Sequence, residues 1–320
     1  MAEKLLISII IPALNEEDYI GKCLTSINDL DAPKGFFEVI VINNGSTDRT
    51  AKIAKDFGAQ VYSIKTGPIS RLRNYGASQA KGKIFAFVDA DCVVSKDWLK
   101  NALVELEDEG VGAAGSNYQI SGQGTWVSKA WEFNMRELKN KCETDWIQSG
   151  NLIIKREVFN LVGGFDERLS VCEDSDICYR IKDNGYKIMS NRDICSYHLG
   201  FAKNIWTFFK KGLWQGQDLI GVFFKHRNKR RYLKVINFAL FYLVCLLVLF
   251  VGILLLKIKI IIISFALMLI PPFVLSISKS FKKREYQYIL PLIALYTVFG
   301  LSKGISLIDF RNWRIKNNEK

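Results

Sequence analysis

The run Val235–Leu256 holds 22 residues without a charge, and no other feature limits the fold so sharply. At about 1.5 Å per residue such a helix covers the roughly 30 Å hydrocarbon core of a bilayer, whereas a helix apolar on every face finds no place on a soluble domain. Only Lys257-Ile258-Lys259 separates it from Ile260–Ile277, a further 18 residues. Tyr288–Ile308 is a third candidate, interrupted by Lys303. Two to three spanning helices are therefore expected between residues 235 and 308. Basic loops stay on the cytoplasmic side. That rule puts Lys225–Arg231 and Lys279–Arg284 there, with the Lys257–Lys259 turn across the membrane. A third crossing would carry the basic tail, 309–320, to the outside, against the same rule.

Charge follows this division. Residues 225–320 carry 17 Lys+Arg against 3 Asp+Glu, while residues 1–224 carry 27 against 29. The pI near 9.3 thus comes from charge flanking apolar runs, which suits anionic membrane lipids and not nucleic acid. Seven cysteines, with no CxxC pair among them, read as reduced thiols facing the cytosol. The apolar stretch Leu5–Ile11 is too short for a signal peptide and reads as a buried first strand.

Up to about residue 200 the chain alternates β-rich runs with helical periods. Leu5–Ile11, Phe37–Ile42, Val61–Ile64 and Ile84–Val88 read as strands. Tyr19 to Leu30, a stretch capped by Ser46 and running to about Phe57, and Arg71–Ala80 read as helices between them. Beyond these, Val111–Ile120 and Ile147–Lys155 read as strands, Ser128–Cys142 and Glu173–Asn184 as helices, and Tyr186–Met189 and Cys195–His198 as short last strands. Such alternation calls for an α/β fold, a mainly parallel sheet with helices on both faces, whose ligand lies beyond the carboxyl ends of the strands. The expected organisation is a catalytic domain over 1–200, an amphipathic and basic juxtamembrane segment over 201–234, the spans over 235–308 and a basic tail.

Polar clusters stand at four of the predicted element ends. Pro12-Ala13-Leu14-Asn15-Glu16 follows the first strand and Asn43-Asn44-Gly45-Ser46-Thr47-Asp48 the second. Asp89-Ala90-Asp91 follows Ile84–Val88, and Glu173-Asp174-Ser175-Asp176 opens a helix. Two carboxylates one residue apart repel each other unless a cation lies between them and a ligand, and hard oxygen donors with few companions suit Mg²⁺ or Mn²⁺ completed by phosphate oxygens. A DxD alone is most often a solvated turn, and acids in a helix's first turn also complement its dipole. No GxGxxG follows the first strand, which argues against a dinucleotide-binding dehydrogenase. Apart from Lys303 the spans hold no ionisable residue, which argues against a transporter.

These clusters, in this order and together with Arg71-Leu72-Arg73-Asn74-Tyr75-Gly76, resemble the family 2 glycosyltransferases of GT-A fold from about Leu5 to Gln217. The resemblance implies an inverting, metal-dependent transfer from a nucleoside-diphosphate sugar. Carried over by position, Pro12, Ala13, Asn15 and Glu16 would line the nucleoside pocket. Asn43 or Asn44 stands where the family more often has an acid facing the base. Arg73 would approach the ribose or diphosphate, Asp89 the ribose and metal, and Asp91 and His198 the metal. Asp174 would be the general base, with Glu173 orienting it or the acceptor. Processive members carry QxxRW near residues 210–217; its absence favours a single transfer. Beside a membrane the expected acceptor is membrane-associated, a polyprenyl phosphate or another lipid-linked molecule, in cell-envelope glycan assembly, with a multi-pass anchor and a cytoplasmic catalytic domain. The alternative from another class is a membrane-tethered nucleotide-sugar-binding scaffold without catalysis.

Overall fold

The structure is a computed structural model and describes residues 6–33, 35–65, 67–120, 124–217, 219–225 and 230–308. Most of the basic run before the first span, including His226, and the basic tail lie outside the described residues. In chain order the elements are β1 (Ile7–Ala13), α1 (Ile20–Asn28), β2 (Phe37–Asn43), α2 (Thr50–Asp56), β3 (Gln60–Ser63), α3 (Ile69–Gln79), β4 (Ile84–Val88), β5 (Cys92–Val94), α4 (Trp98–Leu106), β6 (Val111–Gly115) and α5 (Trp126–Met135). They continue with β7 (Lys141–Glu143), β8 (Asn151–Lys155), α6 (Arg156–Leu161), α7 (Glu173–Asp183), β9 (Lys187–Asn191), β10 (Ser196–His198), α8 (Ile205–Trp214), α9 (Leu219–Lys225), α10 (Arg230–Leu254), α11 (Ile258–Lys283) and α12 (Ile289–Ser306). The chain packs as two compact units, Met1–Ser121 with Lys139–Gly200, and Gly122–Leu138 with Phe201–Lys320. The segment carrying α5 thus belongs to the second unit, although β6 and β7 of the first flank it in sequence.

In the first unit eight strands form one sheet in the order β3-β2-β1-β4-β8-β6-β9-β7. All seven residues of β1 are buried, as a central strand covered on both faces requires. β1 pairs in parallel with β2 and β4, and β2 with β3. Chain order reverses at β1, so the crevice beyond the ends of β1 and β4 is the switch point at which such sheets bind ligands. β8 runs antiparallel to β4, with Val88 opposite Asn151, which brings the start of β8 to the same edge. Gly76 of α3 lets that helix close on the sheet, since a Cβ there would stand 2.4 Å from Ile10 Cγ2.

Several boundaries differ from the sequence reading. Ser46 does not cap α2: its hydroxyl accepts from Asn15 N–H, and the helix starts at Thr50, whose N–H goes to Asp48 Oδ1 (2.9 Å). The helix expected over Ser128–Cys142 is α5, which starts under a Thr125 cap and ends at Met135, after which Cys142 pairs within β7. The strand expected over Val111–Ile120 stops at Gly115, where Asn151 O leaves no room for a Cβ. Within the amphipathic segment expected over 201–234, α8 and α9 are separate helices with the break near Gly216, a poor helix former pressed against Ser306.

In the second unit α10 and α11 form an antiparallel hairpin. Tyr242 Oη donates to Met268 O (2.7 Å), Ser264 Oγ donates to Cys245 O (2.7 Å), and Gly252 lies beside Ile260. The outer faces are apolar and open, with Leu256 87% exposed at the turn. Among the described residues three helices are long and apolar enough to cross a membrane: Tyr232–Leu254, Ile258–Lys283 and Tyr286–Ser306. Pro271 and Pro272 sit inside α11, which a membrane helix tolerates where its neighbours supply partners.

Candidate active site

The loops after β1 and β2 are tied together before any ligand is considered. Asn15 takes a left-handed conformation (φ 54°), which Asn adopts more readily than other side-chain-bearing residues. In it the Asn15 amide oxygen accepts from Thr47 N–H at 2.9 Å. Glu16 N–H donates to Thr50 Oγ1 and Glu17 N–H to Asp48 Oδ2. Pro12 and Ala13 are the last residues of β1, and Asn44 N–H donates to Ala13 O. Asn43 and Asn44 are both buried and engaged within the chain: Asn43 Oδ1 accepts from Ser46 N–H, and the Asn44 amide exchanges bonds with the backbone of Gly67.

Arg73, on the buried face of α3, joins two of the acidic clusters. Its Nη2 meets Asp89 Oδ1 at 2.7 Å and its Nη1 meets Glu173 Oε1 at 2.8 Å, with 1% of the side chain exposed. The guanidinium is a buried cross-link between the end of β4 and the start of α7. Tyr118 Oη donates to Asp89 Oδ2 (2.7 Å) and Ser149 Oγ donates to Glu173 Oε1 (3.1 Å). Burial would raise the Asp89 carboxyl, but the Arg73 charge and the Tyr118 hydroxyl outweigh it and hold the group below the usual carboxylate range. Gly150 fits against this pair because a Cβ would stand 2.2 Å from Asp89 Oδ2 and 2.0 Å from Tyr118 Oη.

Asp91 stands on the other side of the DxD turn. β5 pairs antiparallel with β10 so that His198 lies opposite Cys92, and His198 Nδ1 comes within 3.4 Å of Asp91 Oδ2. Ligand atoms of Asp91, Cys92 and His198 all lie within 4.8 Å of one another. Burial, then Asp89 and Asp91, push the Cys92 thiol well above its usual range, so it stays a thiol and the hard donors are Asp91 and His198. Gly200 keeps the Asp91 carboxylate in place, since a Cβ would approach Oδ2 to 2.1 Å. Burial first, then the charges of Asp91 and Asp89, raise Glu16 to about 7. A carboxyl raised by two neighbouring carboxylates, beside an imidazole nitrogen, fits a hard divalent cation.

α7 opens with three acids of different fates. Glu173 is held by Arg73 and Ser149. Asp176 is fully buried and bound by the Arg180 guanidinium one turn on, at 2.7 and 2.9 Å. Asp174 is half-buried, and its Oδ1 accepts from Ser175 N–H (2.6 Å) and Ser175 Oγ (3.1 Å). Sequence reasoning missed Tyr118, Ser149, Gly150 and Gly200, and gave Asn74 no role of its own within its motif. Asn74 exchanges bonds with both backbone groups of Phe165 and so fixes the Gly163–Glu167 turn.

The profile of the family described as Glycosyl transferase family 2 matches residues 8–163. The glycosyltransferase AglE of Haloferax volcanii is 30% identical over 248 residues, covering 74% of this chain and 80% of that protein. The glycosyltransferase EpsJ of Bacillus subtilis is 31% identical over 189 residues, and the chain spans only 54% of its length. Among solved structures, the mannosyltransferase PcManGT of Pyrobaculum calidifontis, in complex with GDP-Man and Mn²⁺, is similar with a TM-score of 0.62 at 18% identity, covering 95% of this chain and 88% of that one. At that identity the likeness establishes the GT-A fold alone.

Proposed function

The chain belongs to glycosyl transferase family 2, and from that membership we propose an inverting, metal-dependent transfer of a sugar from a nucleoside-diphosphate donor to a lipid-linked acceptor at the membrane, in cell-envelope glycan assembly. The observation that carries the reading is the buried bridge Asp89–Arg73–Glu173, which fixes the DxD turn and the acidic start of α7 in one frame. A scaffold without catalysis gives no reason to retain such a bridge together with Asp91 and Asp174.

Pro12, Ala13, Asn15 and Glu16, with Asn43 and Asn44, form the donor's nucleoside end. Asp89 faces ribose and metal. Asp91 and His198 would hold a divalent cation, Mg²⁺ or Mn²⁺, which would supply positive charge to offset that on the departing diphosphate. Arg73 acts by position: it keeps Asp89 ionised and Glu173 away from the acceptor's proton. Asp174 takes that proton as the acceptor hydroxyl attacks the anomeric carbon and the bond to the diphosphate breaks. Its two bonds from Ser175 fix the direction of the carboxylate.

The full chain in lipid, given a panel of nucleotide sugars and Mn²⁺, should release nucleotide from one of them. Chelator should stop this reversibly, and Asp91→Asn should abolish it with an unchanged thermal melt. Full turnover in excess chelator would remove the metal from the mechanism.

A further inference from the structure

Cys92 stands beside the two residues that would hold a hard cation, yet the transfer reaction gives its thiol no task. In the antiparallel β5–β10 pair it lies opposite His198, and residues opposite one another in such a ladder project to the same face. The side chain is fully buried, and its Sγ lies 3.9 Å from Asp91 Oδ1. At the other oxygen of that carboxylate, His198 Nδ1 stands 3.4 Å from Oδ2. One donor atom from each of the three residues falls within 4.8 Å of the other two. Among the described residues no other three His, Cys, Asp or Glu side chains come together in this way.

These separations approach those of a tetrahedral centre. With bonds of about 2.3 Å to sulfur and about 2.0–2.2 Å to nitrogen and oxygen, neighbouring donors around Zn²⁺ lie roughly 3.3–3.6 Å apart. The 3.4 and 3.9 Å found here ask for little closure. The histidine and the aspartate are also held in place. Gly200 packs against both, since a Cβ there would stand 2.1 Å from Asp91 Oδ2 and 3.1 Å from His198 Cε1. The Tyr118 ring meets the His198 ring edge-on at 4.8 Å, while its hydroxyl is fixed on Asp89. Sulfur and imidazole favour a softer ion than oxygen donors do, and Mn²⁺ is at the weak end of the divalent series for such a set.

We infer that Asp91, Cys92 and His198 form a three-donor site for a borderline-soft divalent cation of the Zn²⁺ type, whose binding excludes the hard cation and stops sugar transfer. The inference rests on the reading of Asp91 and His198 as metal ligands and adds the thiol to them. On binding, a bond forms from sulfur to the cation, the S–H bond breaks and its proton leaves to water. A thiolate and a carboxylate then balance the two positive charges. Three protein donors leave a tetrahedral ion one open position, whereas a hard octahedral ion keeps several for phosphate oxygens and water. The cation that occupies the DxD turn thus decides whether a diphosphate can be seated there.

The test uses the full chain in lipid with Co²⁺, a spectroscopic stand-in for Zn²⁺. Co²⁺ should give the intense visible bands of tetrahedral coordination and a near-ultraviolet thiolate-to-cobalt charge-transfer band, and Zn²⁺ should bleach both. Cys92→Ala should lose the charge-transfer band and bind Zn²⁺ at least about tenfold more weakly by calorimetry, the least that even an outer-shell partner is worth. Its Mn²⁺ affinity and thermal melt should stay near wild type, which shows that the variant is folded. Cys23→Ser should keep the band, because the Cys23 thiol is turned to Asp89 O. Zn²⁺ should inhibit Mn²⁺-supported turnover at lower concentration in the wild type than in Cys92→Ala. Tetrahedral bands without charge transfer in the wild type would overturn the inference, as would a charge-transfer band that survives Cys92→Ala. A wild type that shows the band but binds no Mn²⁺ would support this site while overturning the hard-cation reading.

Discussion

Arg73 donates to Asp89 and Glu173 from one buried guanidinium, and the remaining charge of the site is set around that pair. Glu16 lies outside its reach and is raised to about 7 by burial and by Asp91 and Asp89. A folded value above the ordinary one means that Glu16 supports the fold fully below about pH 4.5 and that this support is lost as pH rises through 7. Glu16→Gln cannot ionise, so in the metal-free protein its melting temperature should exceed the wild type's at pH 8 and match it near pH 4. Mn²⁺ at pH 8 should narrow the gap. A difference independent of pH would show that Glu16 does not feel the carboxylates. The acids themselves were legible in sequence because they stand at strand ends. Tyr118 and Ser149 were not: their contacts with Asp89 and Glu173 are made across the fold, and the strand runs expected around them do not announce a partner.

Strand β4 is bounded in the structure as its apolar run predicts, and the parallel β3-β2-β1-β4 half follows from the βαβα alternation. The remaining strands were less legible, since β7 at the sheet's edge and the separate pair β5 and β10 are three residues each, too short for a period of two to declare itself. α4 and α6 were missed outright, although Trp98 and Val158 anchor them in the core. The antiparallel β8 has a consequence that no local pattern announces, since it places Gly150 against Asp89 and Tyr118. Gly150→Ala must displace one of them. Overpacking of this kind costs typically about 1–3 kcal/mol, so the melting temperature should fall and donor affinity with it, read by thermal melt and calorimetry. Unchanged values for both would mean that the pair is not held as tightly as the geometry requires.

The molecule joins a family 2 glycosyltransferase fold, with its carboxylates gathered at the switch point of the sheet, to helices apolar enough for a bilayer. The division between them was visible as a change in charge and hydropathy, while the grouping of α5 with the C-terminal unit was not, because its sequence neighbours are strands of the other. The proposed chemistry rests on one proton acceptor, Asp174, placed beside a Glu173 that Arg73 has already claimed. Asp174→Asn preserves size and removes the accepting charge, so it isolates that role. The measurement is turnover, as nucleotide released in the presence of acceptor and Mn²⁺, with donor binding followed by calorimetry on the same protein. General base catalysis is commonly worth about 10²–10⁴ in rate, so kcat should fall by at least about 10² while the donor Kd stays near wild type. Near-normal turnover in Asp174→Asn, or loss of donor binding in place of turnover, would contradict the account.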